Sequence, residues 1–196
     1  GDTGRKYLEL VSTYPSRSDA FSDEHTEWIK NYLDAGGPTN ELFDEILLDK
    51  DNITIFGKHP EWQTKLADEQ KSLVKFCEEC NLSGYSIREY GLTADNLSEY
   101  FDADGPTSKM KEKILFNNVE LLYQHPELQE GLPAEQKSMV KFCEECGLNS
   151  WTVAKYRLTS DNLPEHFDAN GPMPEFLQKI FLDGDYDVIY KYYQSQ

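Results

Sequence analysis

Four cysteines supply the softest ligands and nucleophiles in this chain, and they fall as two Cys-x-x-Cys pairs, Cys77/Cys80 and Cys143/Cys146. Two such pairs offer the four thiolates that a structural zinc takes in a tetrahedron. One pair alone has the spacing of a dithiol redox motif. Both chemistries depend on where the sulfurs point. Leu73, Phe76, Cys77 and Cys80 stand at i, i+3, i+4, i+7, one face of a helix, and on an apolar face cysteine acts as a small hydrophobe. The second pair repeats the first at a distance of one structural unit, well over ~10 Å for packed helices, so four thiolates would not meet on one ion. Cys77, Cys80, Cys143 and Cys146 are therefore read as packed, reduced thiols in a reducing setting, with a CxxC-based metal-binding or redox module as the alternative.

Other chemistry has less support. The histidines are His25, His59, His125 and His166, and none joins a nucleophile motif, a phosphate-cradling glycine loop or an HExxH pair. The reading is no catalytic residues, no cofactor and no enzyme. Asp102–Lys113, DADGPTSKMKEK, imitates the start of a calcium loop but places Pro106 and Lys113 where acidic ligands are needed. Helix N-capping by Asp104, and by Asn170 one copy later, is expected instead. SIREYGLT and TVAKYRLT faintly suggest a helix-turn-helix, yet Glu78, Glu79, Asp95 and Glu99 surround the first.

The elements that must position these residues come in copies. EQKSLVKFCEEC at Glu69–Cys80 returns as EQKSMVKFCEEC at Glu135–Cys146, and residues 60–125 laid on 126–191 without a gap match at 30 of 66 positions. This is an internal duplication. The expected fold is all-α, tandem helical repeats of about 66 residues in three stacked units of short helices: a degenerate first unit at 1–59, a second at 60–125 and a third at 126–196. Thr26–Leu33 reads as a helix with Trp28, Ile29, Tyr32 and Leu33 on one stripe, and a second helix follows Gly36, Gly37 and Pro38 with Leu42, Phe43, Ile46 and Leu47 buried. Gly-Pro recurs at Gly105-Pro106 and Gly171-Pro172, a fixed turn between helices. Asn81 and Gly147 stand where left-handed residues would end their helices. Tyr186, Ile189, Tyr190 and Tyr193 form a last i, i+3, i+4, i+7 stripe.

A formal charge of −17 is divided evenly, −6, −5 and −6 over the three units. Such a surface repels phosphate backbones and anionic lipid heads, so the expected partners exclude nucleic acid and membrane. An acidic nucleic-acid mimic is a further alternative, weakened by lysines interspersed among the acids. No apolar run approaches the ~20 residues of a membrane helix. Residues 1–30 lack the basic start and apolar core of a signal peptide, and a trimmed N-terminus would look the same. What remains is a protein partner, with Trp62, Tyr85 and Trp151 as candidate contacts, each also able to serve as packing between units.

TEWIKNYLDAGGPTNELFDEILLD, Thr26–Asp49, resembles the oomycete WY/LWY-type (RxLR-class) effector modules: Trp28 on a helix, Gly37-Pro38 at the turn, then Leu42-Phe43 and Leu47-Leu48. HFDANGPMPEFLQKIFLDGD and YFDADGPTSKMKEKILFNN echo the pattern, with Asn96 and Asn162 in the places of the tryptophan. The resemblance implies a secreted virulence protein that acts inside the host cell by binding host proteins, without enzymatic activity.

Overall fold

The computed structural model describes Glu27, Lys30, Asn31, Leu47, Leu48 and residues 52–196. These first five residues are helical and Leu47 is fully buried, but the rest of the Trp28 helix, the Gly36–Pro38 turn and the start of the next helix lie outside the described residues. The chain divides between Thr107 and Ser108 into two compact units. Both are mostly helical.

In the first unit α1, Asn52–Lys58, buries Ile53, Ile55 and Phe56 and packs on α2, Asp68–Glu79. Between them Pro60 opens a 3-10 turn, Pro60–Lys65, where its missing N–H costs nothing. The α2 stripe faces inward as its period requires: Leu73, Phe76, Cys77 and Cys80 are all buried. Asn81 ends the helix at φ 53°, and Leu82 N–H donates to the Cys77 carbonyl at 2.8 Å, which satisfies one of the last orphan carbonyls. Two short helices follow, α3 (Gly84–Glu89) and α4 (Leu97–Tyr100). Asn96 clasps the loop between them, accepting from Thr93 N–H at 2.8 Å and donating to the Gly91 carbonyl at 2.9 Å.

The Gly-Pro turn is a small antiparallel hairpin, β1 (Phe101–Asp102) and β2 (Gly105–Pro106), with Phe101 opposite Pro106 and Asp102 opposite Gly105. Two-residue strands are too short for alternation to register in sequence. The Asp102 carboxylate accepts the Asp104 N–H at 2.9 Å, and Gly105 closes the turn at φ 122°, a conformation that favours glycine. Asp168 and Asn170 repeat the bond at 2.8 Å. Asp104 and Asn170 thus contribute backbone N–H groups inside a turn. Asn170 does not cap the following helix, whose N-cap is Met173. The hairpin rests on α2, with the Phe76 and Phe101 ring centroids 5.4 Å apart and the Ser72 hydroxyl donating to the Asp102 carbonyl.

The second unit begins with α5, Ser108–Asn117, which buries Met110, Ile114 and Leu115 and packs on α6, Val119–Gln124. The order then runs through a 3-10 turn (Pro126–Gln129), α7 (Ala134–Cys146), α8 (Ser150–Lys155), α9 (Leu163–His166), β3 (Phe167–Asp168), β4 (Gly171–Pro172), α10 (Pro174–Leu182) and α11 (Tyr186–Ser195). From the 3-10 turn to α10, each element stands 66 residues after its counterpart, give or take end fraying. Sequence identity fixes the length of the copy, while packing sets where one body ends, at the start of α5.

α7 is the centre of this unit: α6, the β3–β4 hairpin and α11 all pack on it. Phe142 on α7 meets Phe167 at 5.5 Å, Phe176 at 6.2 Å and Tyr192 at 5.6 Å, centroid to centroid. Edge and tilted ring pairs add about 0.5–1.5 kcal/mol each to simple burial. Gly147 ends α7 at φ 64° with Leu148 N–H donating to the Cys143 carbonyl at 2.8 Å, and Asn162 clasps its loop through Thr159 N–H and the Arg157 carbonyl, each at 2.8 Å. Among the described residues no helix is long and apolar enough to cross a membrane.

Candidate protein-interaction surface

Tyr85 and Trp151 hold equivalent places, the second residue of α3 and of α8. Ile87 and Val153, two positions on, point into the core at 1% and 2% exposure. Two residues along a helix turn the direction by about 200°, so the rings must face out. Tyr85 is 63% exposed and Trp151 76%. The α8 start is held firmly: Asn149 Oδ1 accepts Thr152 N–H at 3.2 Å, and Ser150 N–H donates to Glu120 Oε2 at 3.1 Å. Each unit therefore presents a large ring on a short helix, and in the second unit the start of that helix is anchored.

Trp62 is placed differently. It is half-buried on the 3-10 turn, stacked on His59 at 4.0 Å and 13°, with its edge to Phe56 at 6.0 Å. His59 in turn contacts Glu61 at 3.0 Å. The counterpart of Trp62 is Leu128, which is buried. Among the described residues no ring contact joins Trp62 to Tyr85.

The cysteines are free thiols, all buried. Burial pushes the Cys77 and Cys143 thiols strongly up, the partner thiols Cys80 and Cys146 adding to it. Cys146 is pushed up to about 11, by burial first and by Glu145 second. A reactive dithiol needs the opposite shift. Among the described residues no group of three or more His, Cys, Asp or Glu side chains is arranged to hold a metal ion.

A second apolar surface occupies α10 and α11. α11 turns Val188 and Tyr192 toward α7, where Tyr192 meets Phe142 and the Cys146 sulfur lies 3.6 Å from the Val188 carbonyl. Its other face carries Tyr186, Tyr190 and Tyr193, exposed at 60%, 66% and 62%, next to Phe181 at 52% and Leu182 at 74%. A groove of about 480 Å³ runs between the helices, lined by Pro174, Leu177, Gln178, Phe181, Ile189 and Tyr193. The start of α11 is pinned at Asp185, which accepts from Lys155 Nζ at 2.8 Å and from the Tyr156 hydroxyl. Hydrogen bonds from these two groups hold the Asp185 carboxyl below the usual range, while burial and then the bond to Asp185 push the Tyr156 phenol up.

No protein-family model, curated protein or solved structure matches this chain.

The Tyr186–Tyr193 stripe is legible in sequence as a helical face, but its period does not say whether the face turns in or out. A copy-by-copy comparison carries that information. Glu120 and Gln124, both polar, stand 66 residues before Tyr186 and Tyr190.

Proposed function

We propose that this chain is a non-enzymatic protein of three helical repeat units that binds other proteins through aromatic side chains held out from short helices. The observation that carries the reading is the pair Tyr85 and Trp151, equivalent in position, different in identity and both largely exposed. A large ring left in water forgoes roughly 1.5–3 kcal/mol of burial, and exposed aromatics anchor protein interfaces. The acidic charge directs the choice of partner away from nucleic acid and membrane and toward proteins with basic rims. The resemblance to WY/LWY-type effector modules would make the partner a host protein, reached after secretion and delivery into the host cell.

The test is capture from a eukaryotic lysate by the wild-type chain and by a Tyr85→Ala/Trp151→Ala variant shown to have the same melting temperature. A partner retained by the wild type and lost by the variant supports the reading. Equal retention, or no partner above background, counts against it.

A further inference from the structure

The α10–α11 pair stands one copy after α5–α6, and the two pairs meet opposite fates. α5 and α6 are followed in the chain by α7 and α8, which cover them. Leu115, Leu121 and Leu122 are consequently 0%, 4% and 0% exposed. One copy later Phe181 stands in place of Leu115 and is 52% exposed, and Leu182 replaces Phe116 and is 74% exposed.

The outer residues of the two pairs differ. Lys111, Glu120 and Gln124 give way to Leu177, Tyr186 and Tyr190, while Val119 and Leu121 give way to Asp185 and Asp187. Leu177 and Tyr193 line the groove, Tyr186 meets the lining residue Phe181 at 5.2 Å between ring centroids, and Tyr190 is exposed. The face has gained apolar rings where its counterpart has charge.

α7, which packs on α6, is an amphipathic helix with a buried i, i+3, i+4, i+7 stripe of Met139, Phe142, Cys143 and Cys146, and the same stripe meets the inner sides of α10 and α11 through Phe142 and Cys146. Electrostatics decides between a second copy of this chain and a different protein. Glu175, Asp183, Asp185 and Asp187 against Lys179 and Lys191 leave α10–α11 and their junction net acidic, and a second copy would bring the same acids and a further −17. We propose that the α10–α11 groove docks an amphipathic helix of another protein, its apolar stripe seated between Phe181 and Tyr193 and its borders rich in Lys and Arg. This is helix-in-groove recognition, and it rests on the protein-binding reading above.

The test uses the whole chain as bait for a phage-displayed library of random peptides about 20 residues long, a length that forms several helical turns. Enriched peptides are then synthesised with a fluorescein label and titrated by anisotropy against four proteins: wild type, Phe181→Ser/Tyr190→Ser, Asp183→Lys/Asp187→Lys, and Tyr85→Ala/Trp151→Ala. The expected peptides carry apolar residues at i, i+3, i+4, i+7 with basic flanks. They should lose at least tenfold in affinity on both variants and bind Tyr85→Ala/Trp151→Ala unchanged. Both variants alter exposed side chains, and a helical circular dichroism spectrum with a wild-type melting profile confirms their folding.

Peptides without helical period, acidic peptides, equal binding to the Phe181→Ser/Tyr190→Ser variant, or no enrichment would overturn the proposal. So would dimerisation of the wild type in sedimentation that the same substitutions abolish, which would seat a second copy on the groove. Lysate capture that depends on Tyr85 and Trp151, with no peptide selected at the groove, removes this surface and leaves the protein-binding reading standing. Loss of both removes both.

Discussion

The thiols give the sharpest separation between a packed core and a metal or redox module. Cys146 is pushed from an ordinary 9.0 to about 11. At pH 8 the thiolate fraction then falls from about 10% to about 0.1%, a slowing of roughly 100-fold before any steric shielding is counted. Cys77 and Cys143 are raised further and are 3% and 2% exposed, so they should be slower still. The same shift has a stability consequence. Below pH 9 both folded and unfolded chains keep the Cys146 proton; between 9 and 11 only the unfolded chain releases it, and stability falls as pH rises through that window. The loss follows from linkage, because the unfolded chain holds fewer protons in that window than the folded one. Labelling with a disulfide reagent at pH 8, resolved by peptide mass spectrometry, should find these three native thiols at least 100-fold slower than in guanidinium, and the urea midpoint should drop from pH 9 to 11. Labelling of Cys143 or Cys146 in the native chain at the rate of free cysteine, or a midpoint flat across that range, would refute the reasoning.

Three further outcomes follow from differences between the copies. The Ser72 hydroxyl donates to Asp102, whereas the equivalent Ser138 hydroxyl is buried without a hydrogen-bond partner. Ser72→Ala should cost about 1 kcal/mol in urea denaturation, and Ser138→Ala should be neutral or stabilising by up to about 1 kcal/mol. Gly147→Ala should cost about 1–2 kcal/mol from its left-handed backbone alone, because the added Cβ meets only Lys191 Nζ, at 3.9 Å; Asn81→Gly should stabilise by a few tenths of a kcal/mol or more. The lowered Asp185 carboxyl stabilises the fold above its unfolded value and ceases to do so as pH falls through the lower folded value, so Asp185→Asn should melt below wild type at pH 7 and approach it as pH falls below the usual carboxylate range in thermal scans.

Helical period and punctuation made much of the interior readable. The Leu73–Cys80 stripe, the left-handed ends at Asn81 and Gly147 and the Gly-Pro turns are dictated by neighbours within about seven residues, and they stand where the pattern puts them. The hairpins escaped because a two-residue strand has no alternation to detect. The caps expected at Asp104 and Asn170 failed for a related reason: the same residue types satisfy a turn or a helix start, and Gly105 at φ 122° selects the turn. The outward aromatic face of α11 was hidden because periodicity gives the angle of a stripe and not its sign. The sign is set by whether another helix lies against it, a tertiary fact.

Comparing the two copies within one chain shows which positions packing dictates. Phe76 and Phe142, Cys77 and Cys143, Leu97 and Leu163, and Phe101 and Phe167 are identical pairs and buried, and Asn96 and Asn162 are identical because each clasps a loop. On the outside, identity is lost at most places. Positions 85 and 151 lose identity but keep a large exposed ring, which packing inside the unit does not require. Positions 186 and 190 instead carry tyrosine where positions 120 and 124 carry Glu and Gln. An interior constraint would hold residue identity, and a solvated face would drift toward charge; an aromatic class held at one outer position and acquired at another fits neither. The proposed contacts with another protein would account for both, and Tyr85/Trp151 and the α10–α11 groove are tested as separate surfaces.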